Sequence, residues 1–212
     1  MSKNLWIKSS EKCPYTEKHI PVIIEALKKL LLLKCDLKSI RTQRIKRLLA
    51  IRGNDLGYRV YANKIGERFA NQLKLQCSRE KYNPNKEWLL DMIWCEEDEK
   101  VEHEYQIKNL IMGMECEWGS KRYLDDDEYG NVKYDFQKLL VTESNLCVLI
   151  FKWRKKDEEL IAAGKENALS EYFQNAVNGY EGYLKNRILC IGYCNKFESF
   201  YFRIFKNKKC NE

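Results

Sequence analysis

The spacing of apolar residues divides the chain into a helical first part and a strand-rich second part. From residue 16 to about residue 35, apolar side chains recur every three or four positions, which predicts an amphipathic helix. The same spacing predicts further helices at 37–51 and from about 58 to 75. The turn signal Asn83-Pro84-Asn85 follows. We therefore expect a helical N-terminal region over residues 1–84.

Short apolar runs rich in Ile, Leu, Val and aromatic residues replace this spacing after residue 85, and such runs are typical of strands. The predicted strands are at 87–95, 109–118, 146–153, 187–194 and 199–205, and the predicted helices are at 135–142 and 169–184. Mixing of strands and helices in this order favours an α/β fold with helices on the faces of one sheet. We therefore expect a five-stranded mixed sheet over residues 85–212.

Length and composition are those of one folded unit. The chain has 212 residues, of which 44% are hydrophobic and 33% charged, and the few prolines and glycines argue against a disordered chain. No apolar run approaches the roughly 20 residues of a membrane span. The first residues lack the apolar stretch of a signal peptide. We therefore expect a cytoplasmic protein without a membrane partner.

The nine cysteines are an odd number and contain no CxxC pair. This spacing favours neither a disulfide framework nor a zinc ribbon. Four cysteines lie within apolar runs and are predicted to be buried thiols, namely Cys95, Cys116, Cys147 and Cys190.

Charge is unevenly divided along the chain. Residues 1–85 carry 19 basic against 7 acidic side chains, whereas residues 86–212 carry 19 against 24. A basic segment of this kind favours a polyanionic partner, and we predict nucleic acid, with DNA as the expected form. The residues proposed for this contact lie on and just beyond the second predicted helix: Arg41, Arg44, Lys46, Arg47 and Arg52. The alternative is an ordinary solvated helix surface.

Three carboxylates of the second part are candidates for a metal site. Glu115 and Glu117 are two residues apart in a predicted strand, so their side chains share one face. Asp91 lies in the middle of the preceding apolar run, where a lone charge is costly unless it is paired or binds a cation. If the strands are neighbours, the three carboxylates meet and repel one another, which favours a bound Mg²⁺ or Mn²⁺ ion. The alternative is an exposed strand face.

The segments that carry these residues are WLLDMIW, GMECEWG and DFQKLL. Together they resemble the PD-(D/E)XK nuclease superfamily, which has the restriction-endonuclease-like fold, in its variant with Glu at the usual lysine position. The resemblance covers roughly residues 87–153. It implies an αβββαβ topology, with the final helix and strand at 169–184 and 187–194, and a Mg²⁺-dependent endonuclease whose metal is held by Asp91, Glu115 and Glu117.

The chain departs from the family pattern at Glu117, where most members carry the lysine that helps to activate water. Some members keep activity with Glu at this position, and others recruit a lysine from a neighbouring element. Lys138 on the following helix is the first candidate here, and Lys152 is the second. The resemblance also lets Glu67 point towards the cluster. A third reading is that catalysis has been lost.

Several alternatives remain open at this stage. One is a nucleic-acid-binding or regulatory protein on the same fold without turnover. Another is a helical protein-interaction module. Asp135 is interpreted as a cap of the helix at 135–142. The sequence contains only two histidines and neither GxxxxGK[ST] nor GxGxxG, so nothing indicates a histidine-based triad or a nucleotide-cradling loop. Nothing in the pattern excludes a homodimer.

Overall fold

The computed structural model describes residues 6–32, 42–63, 65, 89–97, 107–118, 129–181 and 187–207. Within this part of the chain, seven strands form one sheet in the spatial order β1-β7-β6-β5-β4-β3-β2. The strands are β1 (Ile7–Lys8), β2 (Arg59–Ala62), β3 (Met92–Glu97), β4 (Ile107–Glu117), β5 (Leu146–Lys152), β6 (Ile188–Cys194) and β7 (Ser199–Phe205). The helices are α1 (His19–Leu32), α2 (Thr42–Asp55), α3 (Gly130–Leu140), α4 (Lys155–Ala162) and α5 (Ala168–Gly179).

The sheet is mixed. Strands β2, β3 and β4 form an antiparallel meander, whereas β4, β5 and β6 run parallel to one another. At the far edge β7 is antiparallel to both β6 and β1. Strands β5 and β6 are buried along almost their whole length, as expected for central parallel strands with continuous apolar sequence.

Helices cover both faces of the sheet. Successive residues of a strand point to opposite faces, and in β4 the side chain of Cys116 neighbours α2 while that of Glu115 contacts α3. On the α3 side, Phe136 stacks on Phe173 of α5 with ring centroids 4.4 Å apart, and Phe173 also meets Phe151 of β5. The strand segments of the sheet are therefore held between two helical layers.

Much of the predicted secondary structure is confirmed with shifted ends. The helix predicted at 16–35 is α1, and the one predicted at 37–51 corresponds to α2. All five predicted strands are present as β3 to β7, and the α/β class is confirmed. The four cysteines predicted to be buried are buried free thiols, as is Cys194.

Three predictions about the fold are wrong. The helix predicted from about residue 58 to 75 is wrong at its start, where Arg59–Ala62 form β2, which pairs with β3 and is buried at its last three residues. Residues 66–75 of that prediction lie outside the described residues. The sheet accordingly has seven strands rather than five. Helix α3 begins at Gly130, so Asp135 lies inside it and does not cap it. The predicted turn at 83–85 and Glu67 lie outside the described residues.

The described part of residues 1–84 belongs to the same core as the remainder. Strands β1 and β2 join the sheet, and α1 buries its apolar side chains in the same cluster as β3 to β7. The region predicted to be helical therefore supplies two strands of the sheet as well as helices that pack on it. In the part of the chain that the structure describes, no helix has the length and apolarity needed to span a membrane.

Gly192 in β6 leaves the space into which a tryptophan packs. A Cβ atom at this position would lie 2.0 Å from Nε1 of Trp153, and that ring is itself fixed against Trp6 at a centroid distance of 4.9 Å. We expect Gly192→Ala to lower the free energy of unfolding by about 1–3 kcal/mol or more through overpacking. Urea denaturation measures this loss.

The matched control is Gly179→Ala at the end of α5, where a Cβ would meet nothing within 4 Å. This change is expected to be neutral or slightly stabilising, because alanine costs less backbone entropy in a helix. Equal stability of the two variants would show that the Trp153 ring can move aside.

Candidate functional site

Asp91 lies at a bend immediately before β3, not in the middle of a strand as the sequence predicted. Its Oδ2 atom accepts a hydrogen bond of 3.0 Å from the backbone N–H of Cys116 in β4. Its Oδ1 atom accepts one of 3.0 Å from Nζ of Lys46 in α2. The carboxylate therefore accepts from a backbone N–H of β4 just beyond the last residue pair of β3 and β4. On the α2 side it pairs with the ammonium group of a lysine.

Lys46 does not lie on the solvent side of α2, which corrects the predicted basic surface. Its side chain is 3% exposed and its ammonium pairs with Asp91, so it is an internal cation. The sequence contains a signal for this position. Lys46 is spaced three, four and seven residues from the buried Leu49, Ala50 and Gly53, and therefore lies on the inward stripe of the helix.

Glu115 is buried in β4 on the side that α3 covers, and its side chain is 4% exposed. Nζ of Lys138 in α3 contacts Oε1 of Glu115. The same ammonium lies 3.0 Å from Oδ1 of Asp135, one helical turn earlier. Lys138 is thus held between two carboxylates, one from the sheet and one from its own helix. Asp135, which the sequence predicted to be a helix cap, is a member of this site.

Burial governs the protonation of these carboxyl groups. Desolvation raises the pKa of Glu115 to about 8, Lys138 lowers it in part, and the nearby charges of Asp135 and Asp91 raise it further. Burial also raises the pKa of Asp135, again against the effect of Lys138. The site therefore holds more negative charge than its ammonium groups offset, and an added cation would stabilise the ionised form of Glu115.

Glu117 projects from the same side of β4 as Glu115 and is less buried. Its charge acts on Asp135, as does that of Asp91. The three predicted metal ligands thus lie in one electrostatic neighbourhood with Asp135 as a fourth carboxylate. We refer to Asp91, Glu115, Glu117 and Asp135 as the carboxylate cluster.

The present arrangement of the cluster is that of ion pairs with lysine. Over the described ranges, no three His, Cys, Asp or Glu side chains are placed so that they could hold a metal ion. The donor chemistry nevertheless fits a hard divalent cation, because carboxylate oxygens are the ligands such ions prefer. Binding would require Asp91 or Glu115 to exchange a lysine contact for the metal.

The other predicted nucleic-acid contacts do not form one continuous basic face. Arg44 is exposed, but Arg47 donates from Nε to the backbone carbonyl of residue 65 at 2.6 Å, and Arg52 pairs with Asp55 at 2.9 Å. Arg41 lies outside the described residues. A role of α2 in phosphate binding stays a prediction, with Lys46 removed from it.

Comparisons of the chain with protein-family models, with curated proteins and with solved structures found no match. The residues and geometry of this chain are therefore the basis for assigning it a function.

Ionisation of Glu115 is expected to make the fold less stable as the pH rises. An unperturbed glutamate has a pKa near 4.5, whereas the pKa of the buried Glu115 is about 8. Between these values the folded state binds more protons than the unfolded state, so the free energy of unfolding falls with increasing pH. The Glu115→Gln variant lacks this ionisation, and its stability relative to the native protein should rise from pH 5 to pH 8.

Urea denaturation of both proteins at several pH values measures this difference. Below about pH 4.5 the difference should be constant, because the group is protonated in both states. A difference that is also constant between pH 5 and pH 8 would show that Glu115 is ionised throughout.

Proposed function

We propose that the chain is a metal-dependent nuclease that hydrolyses phosphodiester bonds, with DNA as the expected substrate. One observation carries this proposal. Asp91, just before β3, is close enough to Glu115 of the adjacent β4 for its charge to raise the pKa of Glu115, and Lys138 from the next helix contacts Glu115. Carboxylates can hold a divalent cation that activates water, and a lysine can stabilise the charge that develops on a phosphate.

The order of elements supports the proposal. Among the described elements from α2 onwards the order is α2, β2, β3, β4, α3, β5, with residues 66–88 between β2 and β3 outside the described part. This order matches the αβββαβ order that the resemblance to the PD-(D/E)XK superfamily implies. Strand β5 lies next to β4 and parallel to it. On this reading the final helix and strand of the motif are α3 and β5, in place of the segments at 169–184 and 187–194.

The residues have separable roles under this proposal. Asp91, Glu115 and Glu117 would hold the cation, and Mg²⁺ or Mn²⁺ when bound supplies charge for the phosphate and lowers the pKa of water. Glu117, which is less buried than Glu115, accepts a proton from the attacking water. Lys138 donates hydrogen bonds to a phosphate oxygen and offsets the charge that develops there.

A second candidate is a nucleic-acid-binding or regulatory protein without turnover. The observation that favours it is the engagement of both Asp91 oxygens by Lys46 and the Cys116 N–H, together with Glu117 at the family's lysine position. If these contacts persist in solution, the cluster is a structural element and not a metal site.

Cleavage assays separate the two candidates. Plasmid and single-stranded DNA are incubated with Mg²⁺ or Mn²⁺ and the native protein, Asp91→Asn or Glu115→Gln. We expect the native protein to nick or cut. Each variant should lose about a hundredfold or more, since even outer partners of metal ligands contribute roughly 10- to 100-fold.

The matched control is Glu171→Gln, which removes an exposed carboxylate of α5 and should leave cleavage unchanged. Cleavage that survives in Asp91→Asn and Glu115→Gln would come from another site or a contaminant. DNA binding without any cleavage by the native protein would reject the nuclease and favour the second candidate.

A further inference from the structure

A cleft of about 680 Å³ opens at the carboxyl ends of the three parallel strands. Trp118 directly follows β4, Trp153 follows β5 and Asn195 follows β6, and all three residues line it. In α/β sheets, ligands bind outside the carboxyl ends of parallel strands, and the volume is typical of a small-molecule site. The cleft is therefore placed and sized for a ligand.

Basic side chains dominate the rim: Lys152, Arg154, Lys155 and Lys196. The two acidic side chains there are engaged by the protein itself. Glu158 accepts backbone N–H groups of Asn195 at 2.6 Å and Lys196 at 3.1 Å, and Glu159 pairs with the Lys196 ammonium.

Two of the cations are unmatched. In the part of the chain that the structure describes, neither Lys152 nor Lys155 has a carboxylate partner. Lys155 is also the first residue of α4, whose positive dipole end adds to the field of the ammonium groups. The rim therefore favours an anion, and two lysines with a helix start suit a phosphate group.

An aromatic ring lies beside these cations. Trp118 is half-buried and stacks on Tyr193, with ring centroids 5.6 Å apart and an interplanar angle of 22°. In the register of β5 and β6, Lys152 is opposite Tyr193. The β4–β5 ladder ends with Glu117 opposite Phe151, so the next residue, Trp118, is opposite Lys152 on its other side. The indole is thus held in a fixed orientation while part of it faces the cleft. A fixed, partly exposed indole is a stacking platform for a planar base.

We propose that this cleft binds a nucleoside phosphate, with the phosphate held by Lys152 and Lys155 and the base stacked on Trp118. Trp118 directly follows Glu117, so the cleft and the carboxylate cluster share the carboxyl end of β4, although none of the four cluster residues lines the cleft. Together with the proposed nuclease function, the bound unit is a nucleotide of the substrate strand. Binding itself requires neither metal nor cleavage.

Isothermal titration of the full chain in EDTA tests the proposal. The probes are deoxythymidine monophosphate, a ten-residue thymidine oligonucleotide and inorganic phosphate. We expect saturable binding of the mononucleotide, the oligonucleotide or both, more tightly than inorganic phosphate and weakening with salt. Tighter binding of the oligonucleotide assigns the cleft to a strand, and equal binding assigns it to a free nucleotide. Failure of both nucleotide probes to bind overturns the proposal.

Variants locate the site. The double variant Lys152→Ala/Lys155→Ala and the single variant Trp118→Leu should each weaken nucleotide binding about tenfold or more. Trp118→Phe, which keeps a ring against Tyr193, should retain most of the affinity. The control Lys165→Ala removes an exposed lysine beyond the other end of α4 and should change nothing.

Unchanged affinity in the double variant, or in Trp118→Leu shown to be folded by circular dichroism, contradicts the proposed contacts. The outcome is independent of the nuclease assay. Nucleotide binding here without any DNA cleavage would reject the proposed nuclease function and support this site. DNA cleavage without such binding would support the nuclease function and reject this site.

Discussion

Lys46→Met is expected to destabilise the fold by on the order of 3 kcal/mol. The variant keeps the apolar stem of a side chain that is 3% exposed and removes the ammonium that lies 3.0 Å from Asp91. Removing one partner of a buried ion pair leaves the other charge uncompensated, and this is the costly case for such pairs. The cost should be smaller in Lys46→Met/Asp91→Asn, because asparagine still accepts from the Cys116 N–H without a charge.

Arg52→Met is the control for this experiment. Arg52 belongs to the same helix and its ion pair with Asp55 is solvent-exposed, so its loss should cost no more than about 1 kcal/mol. Urea denaturation of the four proteins gives both comparisons. If Lys46→Met is as stable as Arg52→Met, the Lys46–Asp91 contact contributes nothing beyond an ordinary surface pair.

Under the proposed nuclease function, Lys138→Met is expected to lower DNA cleavage by about 10²- to 10³-fold, the range seen when one donor to a developing charge is removed. Its effect on stability should be small at pH 6. Burial already raises the pKa of Glu115 to about 8, so the carboxyl can hold a proton when the ammonium is absent. A large loss of activity with little loss of stability would separate a role in the reaction from a structural one.

Lys133→Met is the matched control on the same helix. Lys133 lies over the ring of Tyr172 at 4.8 Å, and its replacement should leave cleavage unchanged. Lys138→Arg keeps the charge and should recover part of the activity. Full activity of Lys138→Met would remove this lysine from the proposed mechanism and leave Glu117 as the group that acts on the attacking water.

The apolar pattern predicted the elements that are buried along their length. Strands β3 to β7 each contain a short run that is mostly apolar, and a run of that kind is recognisable without its neighbours. Helix α4 escaped prediction because its sequence, KKDEELIA, is mostly charged, and of its apolar side chains only Ile161 is fully buried. Strand β2 was missed because four residues next to a helical pattern contain too few positions to establish a period.

The carboxylate cluster was predictable only in part. Alternation along a strand places Glu115 and Glu117 on one face from sequence alone. The partner of Asp91, in contrast, is 45 residues away in α2, and no local pattern specifies that contact. The contact between Lys138 and Glu115 depends on how α3 packs on the sheet. The resemblance made Lys138 a candidate, and the structure adds the two carboxylates that it contacts, Glu115 and Asp135.

The most direct test of the central claim is a titration of the protein with Mn²⁺ at pH 8.5, above the pKa of Glu115. Electron paramagnetic resonance of free Mn²⁺ counts the bound ions. We predict a saturable site in the native protein that Asp91→Asn and Glu115→Gln each weaken by about tenfold or more, while Glu171→Gln preserves it. Absence of saturable binding, or binding that both cluster variants retain in full, would contradict the assignment of these carboxylates to a metal.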